Sequence, residues 1–259
     1  MSIHWIAAAA LSTALLAACS SSSDTVAPAA PAVDTAAAAK AALEAKANKD
    51  LALYEQMRSN QNWDLAGPLG AELVSKYPDS AAAAQVKQTL ADVQAKGREQ
   101  AEAKRLARLW AYSVSAEPGG TQYAASIESK QPISQGLSAK DTKRAHLILR
   151  QHPQWGQNVY IYLDNERFDC RSGCPSLPVS FDGETPKPMK ATIPPTGEPS
   201  LFIDDDKVFI AKILKSKRVA IDVVLKSAGK KTLVFETGGL DLTHLPGATK
   251  AAPAAKKKQ

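Results

Sequence analysis

The stretch Asn158-Val159-Tyr160-Ile161-Tyr162-Leu163 decides how the second half of this chain folds. Val159, Ile161 and Leu163 alternate with Tyr160 and Tyr162, and a two-residue period places each set on its own face of a strand. Val219, Ile221, Val223 and Leu225 repeat the pattern. Both segments therefore read as half-buried antiparallel strands. Outward from them, the same logic predicts strands over 109–116, 122–129, 144–150, 167–170, 177–182, 188–193, 200–203 and 232–236. Gly, Pro, Asn and Asp punctuate these runs, which points to a sandwich or an incompletely closed barrel. One short helix is expected over 205–215, turning Val208, Phe209, Ile213 and Leu214 to the sheet.

Upstream of Trp110 the periodicity is helical. Residues 36–110 are rich in Ala, Leu, Glu, Lys and Gln without runs of Val, Ile or Thr. Three helices are predicted: 35–59 with Leu43, Leu51, Tyr54 and Met57; a second through Trp63, Leu65, Leu69, Leu73 and Val74; a third over 81–109 with Val86, Leu90 and Val93 on one stripe. Asn62 is the expected N-cap of the second, and Asp79 or Ser80 that of the third. The fold class is thus α+β, segregated: an N-terminal α-helical hairpin or three-helix segment, then an antiparallel β-sandwich with one short helix. The expected organisation is 1–18, 19–35, a helical domain over 36–109, a sandwich over 110–243 and a basic tail over 244–259.

The first two segments follow from Leu16-Ala17-Ala18-Cys19, which stands directly after an apolar stretch from Ile6 to Leu15. That stretch is too short to cross a bilayer core of about 30 Å. Small residues before a lone early Cys resemble the signal peptide of bacterial lipoproteins. The resemblance implies cleavage after Ala18, fatty acylation of Cys19 (palmitate among the acyl groups) and attachment to a membrane, each buried methylene contributing about 0.8 kcal/mol. Ser20, where an Asp would signal inner-membrane retention in similar lipoproteins, implies the outer membrane, periplasmic side. The Ser, Ala, Pro and Thr of 20–35 cannot bury enough apolar surface to order themselves, and read as a tether of about 20 Å.

Compartment settles two further readings. The net charge of +6 is concentrated at the end: Lys250, Lys256, Lys257 and Lys258 follow Asp241 with no acid among them. No folded part is broadly basic and nucleic acid is not an expected partner. A basic tail solubilises the end or touches anionic headgroups, wall polymers or an acidic protein. Of three cysteines, one is spent on the anchor, and Cys170 and Cys174 remain as an even pair in an oxidising compartment, where a disulfide is expected. So short a loop gains about 2 kcal/mol of chain entropy, so the bond rigidifies a hairpin tip, Arg171-Ser172-Gly173, more than it stabilises the fold. That tip and the helical face near Trp63 and Tyr77 are the candidate contact sites.

Catalytic signatures are absent. No His-Glu-x-x-His, Gly-x-Ser-x-Gly or Gly-x-x-x-x-Gly-Lys pattern occurs, and Cys-x-x-x-Cys lacks the second Cys/His pair of a zinc site. His146, His152 and His244 read as surface or turn histidines. Asp204-Asp205-Asp206 reads as a helix-capping run rather than a calcium loop. Glu166 with Asp164 or Asp169 is a formal carboxylate pair for sugar hydrolysis, but in a turn it reads as solvated. No catalytic residue, metal or cofactor is expected.

Two further resemblances bear on role. The piece from Trp63 to Leu90, with Lys76-Tyr77-Pro78-Asp79-Ser80 at its junction, resembles a tetratricopeptide-type helical hairpin; without a second copy it implies a docking hairpin rather than a solenoid. Leu147-Ile148-Leu149-Arg150, Phe168-Asp169-Cys170 to Cys174, Val179-Ser180-Phe181-Asp182, Leu201-Phe202-Ile203 and Gly239-Leu240, with Ser113 and Ser115, are similar to periplasmic β-sandwich accessory proteins of type VI secretion. Together they imply a membrane-anchored periplasmic binding or scaffold lipoprotein that recognises a protein or cell-envelope component without catalysis. The alternatives are an immunity or inhibitor lipoprotein against a cell-wall hydrolase, and, behind it, a periplasmic enzyme.

Overall fold

The computed structural model describes residues 35–134, 141–170, 174 and 176–248. Three helices come first: α1 (Thr35–Ser59), α2 (Trp63–Lys76) and α3 (Ala81–Ala107). Ten strands and one helix follow: β1 (Trp110–Glu117), β2 (Gly120–Glu128), β3 (Ala145–His152), β4 (Gly156–Leu163), β5 (Leu177–Phe181), β6 (Lys187–Met189), β7 (Ala191–Thr192), β8 (Ser200–Ile203), α4 (Asp206–Ile213), β9 (Val219–Leu225) and β10 (Gly229–Phe235). The class is α+β, with helices and antiparallel strands segregated along the chain.

The helical part packs around Tyr54, which is fully buried and pairs its hydroxyl with Thr89 Oγ1 at 2.7 Å. Its ring lies where α2 offers only Gly70: a Cβ there would sit 2.7 Å from Tyr54 Cε2 and 2.9 Å from Leu90 Cδ1. Ser80 caps α3, accepting from the Ala83 N–H, whereas the Asn62 side chain makes no capping bond to α2. Leu43 and Leu65, expected on buried stripes, are exposed.

The strands form two sheets, a six-stranded one in the order β1-β2-β3-β4-β8-β7 and a four-stranded one in the order β10-β9-β5-β6. Their facing sides meet in one core, with Leu147, Leu149, Val159 and Ile161 from the larger sheet and Val179, Ile221, Leu225 and Phe235 from the smaller. The alternation read at 158–163 and 219–225 is the burial pattern observed. The helix α4 closes one end, its Phe209 ring edge-on to Phe181 at 5.8 Å.

Four local expectations are corrected. The expected strand over 188–193 is two strands in different sheets: β6 pairs with β5, β7 pairs with β8, and Lys190 is the corner between them. The expected strand over 167–170 reduces to a single bridge between Phe168 and Leu225. In α4, Ile210 turns inward while Val208 and Leu214 are exposed, because the helix is only eight residues long and its buried stripe is 209, 210 and 213. Asp205 stands at the α4 N-cap without a side-chain capping bond.

Helices and sandwich meet at a glycine pair. A Cβ on Gly238 would lie 2.8 Å from Leu106 Cδ1; one on Gly239, whose φ is +79°, would lie 2.6 Å from the Ala107 nitrogen. Arg105 reaches over this joint to Glu236 (Nη2 to Oε1, 2.9 Å), and Lys130 meets the same oxygen at 3.2 Å.

Gly70→Ala is expected to destabilise the chain by about 1–3 kcal/mol through overpacking against Tyr54 and Leu90. Gly67→Ala, whose Cβ would meet nothing from the neighbouring helices closer than 3.7 Å, is expected to cost about 1 kcal/mol or less, the crowding there coming only from the ring of the following Pro68. Urea denaturation of the two variants checks the contrast.

Candidate binding face

On the outer side of the six-stranded sheet, β3, β4 and β8 bring planar side chains into line. The strand phase that buries Leu147, Leu149, Val159 and Ile161 sends Ile148, Arg150, Asn158 and Tyr160 outward. Register then places Arg150 beside Asn158, and Tyr160 beside Phe202. Tyr160 and Phe202 stack at 5.0 Å between centroids. The Arg150 guanidinium lies 5.2 Å from the centre of the Tyr160 ring and 5.2 Å from that of the Trp155 ring. Trp155 in turn stacks on His152 at 3.8 Å, with 13° between planes. Phe202, Tyr160, Arg150, Trp155 and His152 thus form one continuous stack across three strands and a turn.

The turn is what folds Trp155 back. His152 is buried, and its Nδ1 accepts the backbone N–H groups of Gln154 at 3.1 Å and Trp155 at 3.3 Å. The imidazole thereby does for the turn what a carbonyl oxygen would, and fixes its own tautomer with Nδ1 unprotonated. Gly156 completes the turn at φ +69°. Each aromatic pair contributes about 0.5–1.5 kcal/mol beyond its burial, and each cation–π contact about 0.5–2 kcal/mol. Burial pushes the Tyr160 hydroxyl pKa up; the neighbouring Arg150 lowers it and Glu198 raises it.

The stack is not sealed. Trp155 remains 63% exposed, and Tyr162, which shares the outward phase of Tyr160 farther along β4, 38%. Arg150 Nη2 donates to Asn158 Oδ1 at 2.8 Å, while its buried Nε has no partner among the described residues. Gln151 and Gln157 have the opposite phase, that of Leu149 and Val159, and Gln151 donates to Gln157, which donates to Asp206 of α4 at 2.9 Å. Flat rings, the Asn158 amide and a guanidinium without a carboxylate partner among the described residues make a surface suited to binding, since aromatic and Arg side chains dominate contact energetics.

The acids read from the sequence are engaged elsewhere. Asp164 accepts from His146 Nε2 at 3.1 Å and from the Arg144 N–H. Glu166 is not solvated but 7% exposed, accepting from the Arg167 N–H, the Ser227 N–H and the Ser227 hydroxyl. Burial works against its charged form, yet the hydrogen bonds from Ser227 and Arg167 outweigh it and hold the carboxyl below its ordinary value. Asp204 accepts from Thr192. Among the described residues no group of three His, Cys, Asp or Glu is placed to hold a metal ion.

The Cys170 and Cys174 sulfurs are within bonding distance, their Cα atoms 5.3 Å apart. They do not sit at a hairpin tip. Phe168 faces Leu225 and Val179 faces Ile221, both antiparallel to β9, so eleven residues advance here while β9 advances four. The cysteines pinch an excursion out of one interrupted strand. Arg171, Ser172 and Gly173 lie outside the described residues, as do Cys19, Lys250, Lys256, Lys257 and Lys258. Trp63 is partly buried at a shallow groove between α2 and α3, with the Lys96 ammonium 4.8 Å from its ring centre. Tyr77 is buried in the helical core at 7% exposure, so it supports that face from beneath and offers little surface of its own. Neither lies near the stack. No helix among the described residues is long and apolar enough to cross a membrane.

No family model matches the chain, and no curated protein matches it in sequence. A solved structure, invasion associated protein B from Bartonella henselae, is similar over 51% of this chain and 85% of that one, at 9% identity and a TM-score of 0.32, below the similarity of a shared fold.

Because its folded-state pKa is depressed, Glu166 contributes stability that is present above its unfolded pKa and lost as pH falls through the folded value. Glu166→Gln is expected to flatten the acid limb of the stability curve at and below the ordinary Glu range of about 4.3. Urea melts from about pH 7 down to about pH 3 check this; parallel curves for the two proteins would remove Glu166 as the source.

Proposed function

We propose that this chain is an exported, lipid-anchored binding protein of the bacterial cell envelope, attached through Cys19 to the outer membrane on its periplasmic side. The helical part stands between anchor and sandwich, and the sandwich binds a cell-envelope component through the outer face of its larger sheet. The observation that carries this reading is the Phe202-Tyr160-Arg150-Trp155-His152 stack, half open to solvent and holding a guanidinium that no carboxylate of the sheet neutralises. Engagement of Asp164 and Glu166 by neighbouring structural groups supports binding without catalysis.

The pinched excursion at Cys170–Cys174 favours a second reading, an inhibitor or immunity lipoprotein that inserts this loop into a cell-wall hydrolase. A short covalently closed loop is pre-organised for such a contact, and pre-organisation lowers the entropic cost of binding.

Two measurements test the proposal. Labelled palmitate is expected to enter the wild-type chain and not Cys19→Ala, which should appear as unprocessed precursor; equal labelling of both would remove the anchor. In co-sedimentation with purified outer membranes and wall sacculi, Arg150→Ala or Trp155→Ala is expected to weaken binding about tenfold, or about 1.4 kcal/mol, at a temperature where circular dichroism shows each variant folded. Full retention of binding by both variants, with loss on shortening the 170–176 loop, would favour the inhibitor reading.

A further inference from the structure

We propose that the free edge of β1 pairs with the β1 edge of a second copy of this chain, joining two six-stranded sheets into one. This rests on the backbone of the β1–β2 hairpin and is independent of what the outer face binds.

The hydrogen-bond phase shows which groups are free. A two-residue turn, Pro118-Gly119, joins β1 to β2, and the pair Glu117 and Gly120 closes it. In an antiparallel ladder such a closing pair exchanges both hydrogen bonds, and hydrogen-bonded pairs alternate with unbonded ones. Glu117, Ser115, Ser113 and Ala111 therefore bond to β2. Ala116, Val114 and Tyr112 point their N–H and C=O groups away from it, and among the described residues no backbone partner meets them.

The other edges of the two sheets are short or guarded, as edges of monomeric proteins commonly are. β7 has two residues and β6 three, with Pro188 in the middle. β10 carries Lys230 and Lys231 and gives its Val234 carbonyl to the Lys130 N–H. β1 has eight residues with no Lys, Arg, Pro or interior Gly, and its Val114 is 66% exposed.

The sequence of that edge is self-complementary. A two-fold axis at Val114 sets Val114 against its own copy and Tyr112 against Ala116 of the partner, a large ring opposite a methyl at both ends. On the other face Ser113 meets Ser115, and Ala111 meets Glu117. No like charges oppose each other in this register, and the three outward residues of each copy would exchange about six backbone hydrogen bonds. An isologous contact of this kind closes at two copies.

Position 114 tests the register directly. In a hydrogen-bonded antiparallel pair the Cα atoms lie about 5.5 Å apart, within the span of a disulfide. Full-length Val114→Cys in detergent is expected to form a disulfide-linked dimer on oxidation, beyond any background from Cys19 in the wild-type chain. Val114→Pro removes an N–H that the hairpin itself does not use, and is expected to weaken dimerisation at least tenfold in analytical ultracentrifugation while melting as wild type. If Val114→Pro does not fold, the cysteine variant decides alone. A wild-type chain that stays monomeric with no Val114→Cys cross-link overturns the proposal; so does a Val114→Cys cross-link to a different envelope protein while the purified chain remains monomeric.

Discussion

The arrangement of this molecule hangs on the approach of α3 to the backbone at Gly238 and Gly239. The last turn of the helix comes so near that side chains there would overlap Leu106 and Ala107, and Gly239 adopts a φ that side-chain-bearing residues rarely take. Close packing of this kind tolerates few alternatives, since interiors pack as densely as organic crystals. Arg105, Glu236 and Lys130 add a charged clasp over the same point, mostly exposed and so of modest energy. The helical unit is therefore a fixed extension of the sandwich, and α3, with 27 residues, carries it about 40 Å from the sheets.

Within the sandwich, one face of the larger sheet makes the core and the other makes a surface with its own order. Both depend on the same two-residue period. Where Val159 and Ile161 point inward, Tyr160 must point out, and register then decides that its neighbours are Phe202 and, diagonally, Arg150. The buried His152 adds the last member by folding Trp155 over the guanidinium, so a turn contributes a side chain to a face otherwise built by strands. The Arg150 Nε is buried with no partner among the described residues, and leaving such a donor unsatisfied costs about 1–3 kcal/mol.

Much of this was legible in the residues, because periodicity is a local property. The helix α1 and the strand β8 fall where spacing predicts them, and the alternation at 158–163 names both the core residues and the outward-facing tyrosines. What was not legible depends on distance through space. Residues 188–193 read as one strand because nothing local marks Lys190 as a corner between sheets. Glu166 read as solvated because its partner, Ser227, is far along the chain. Tyr77 read as a contact because a junction residue looks exposed until a third helix covers it. The stack escaped notice for the same reason, although a Trp-Gly turn shortly after an Arg-bearing strand was a signal available in the sequence.

The interrupted strand beside β9 has a consequence for how the chain tolerates change. A loop at the end of a hairpin sets the register of the strands it joins, so altering its length shifts every side chain that follows. Here Phe168 and Val179 are each tied separately to β9, and Cys170 and Cys174 close the gap between them. The alignment of β5 with β9 is consequently held by Val179, Ser180 and Phe181 themselves and does not depend on the count of residues that link them to Phe168. A change of chain length between those two attachments is therefore expected to leave every later side chain on its own face of the sheet.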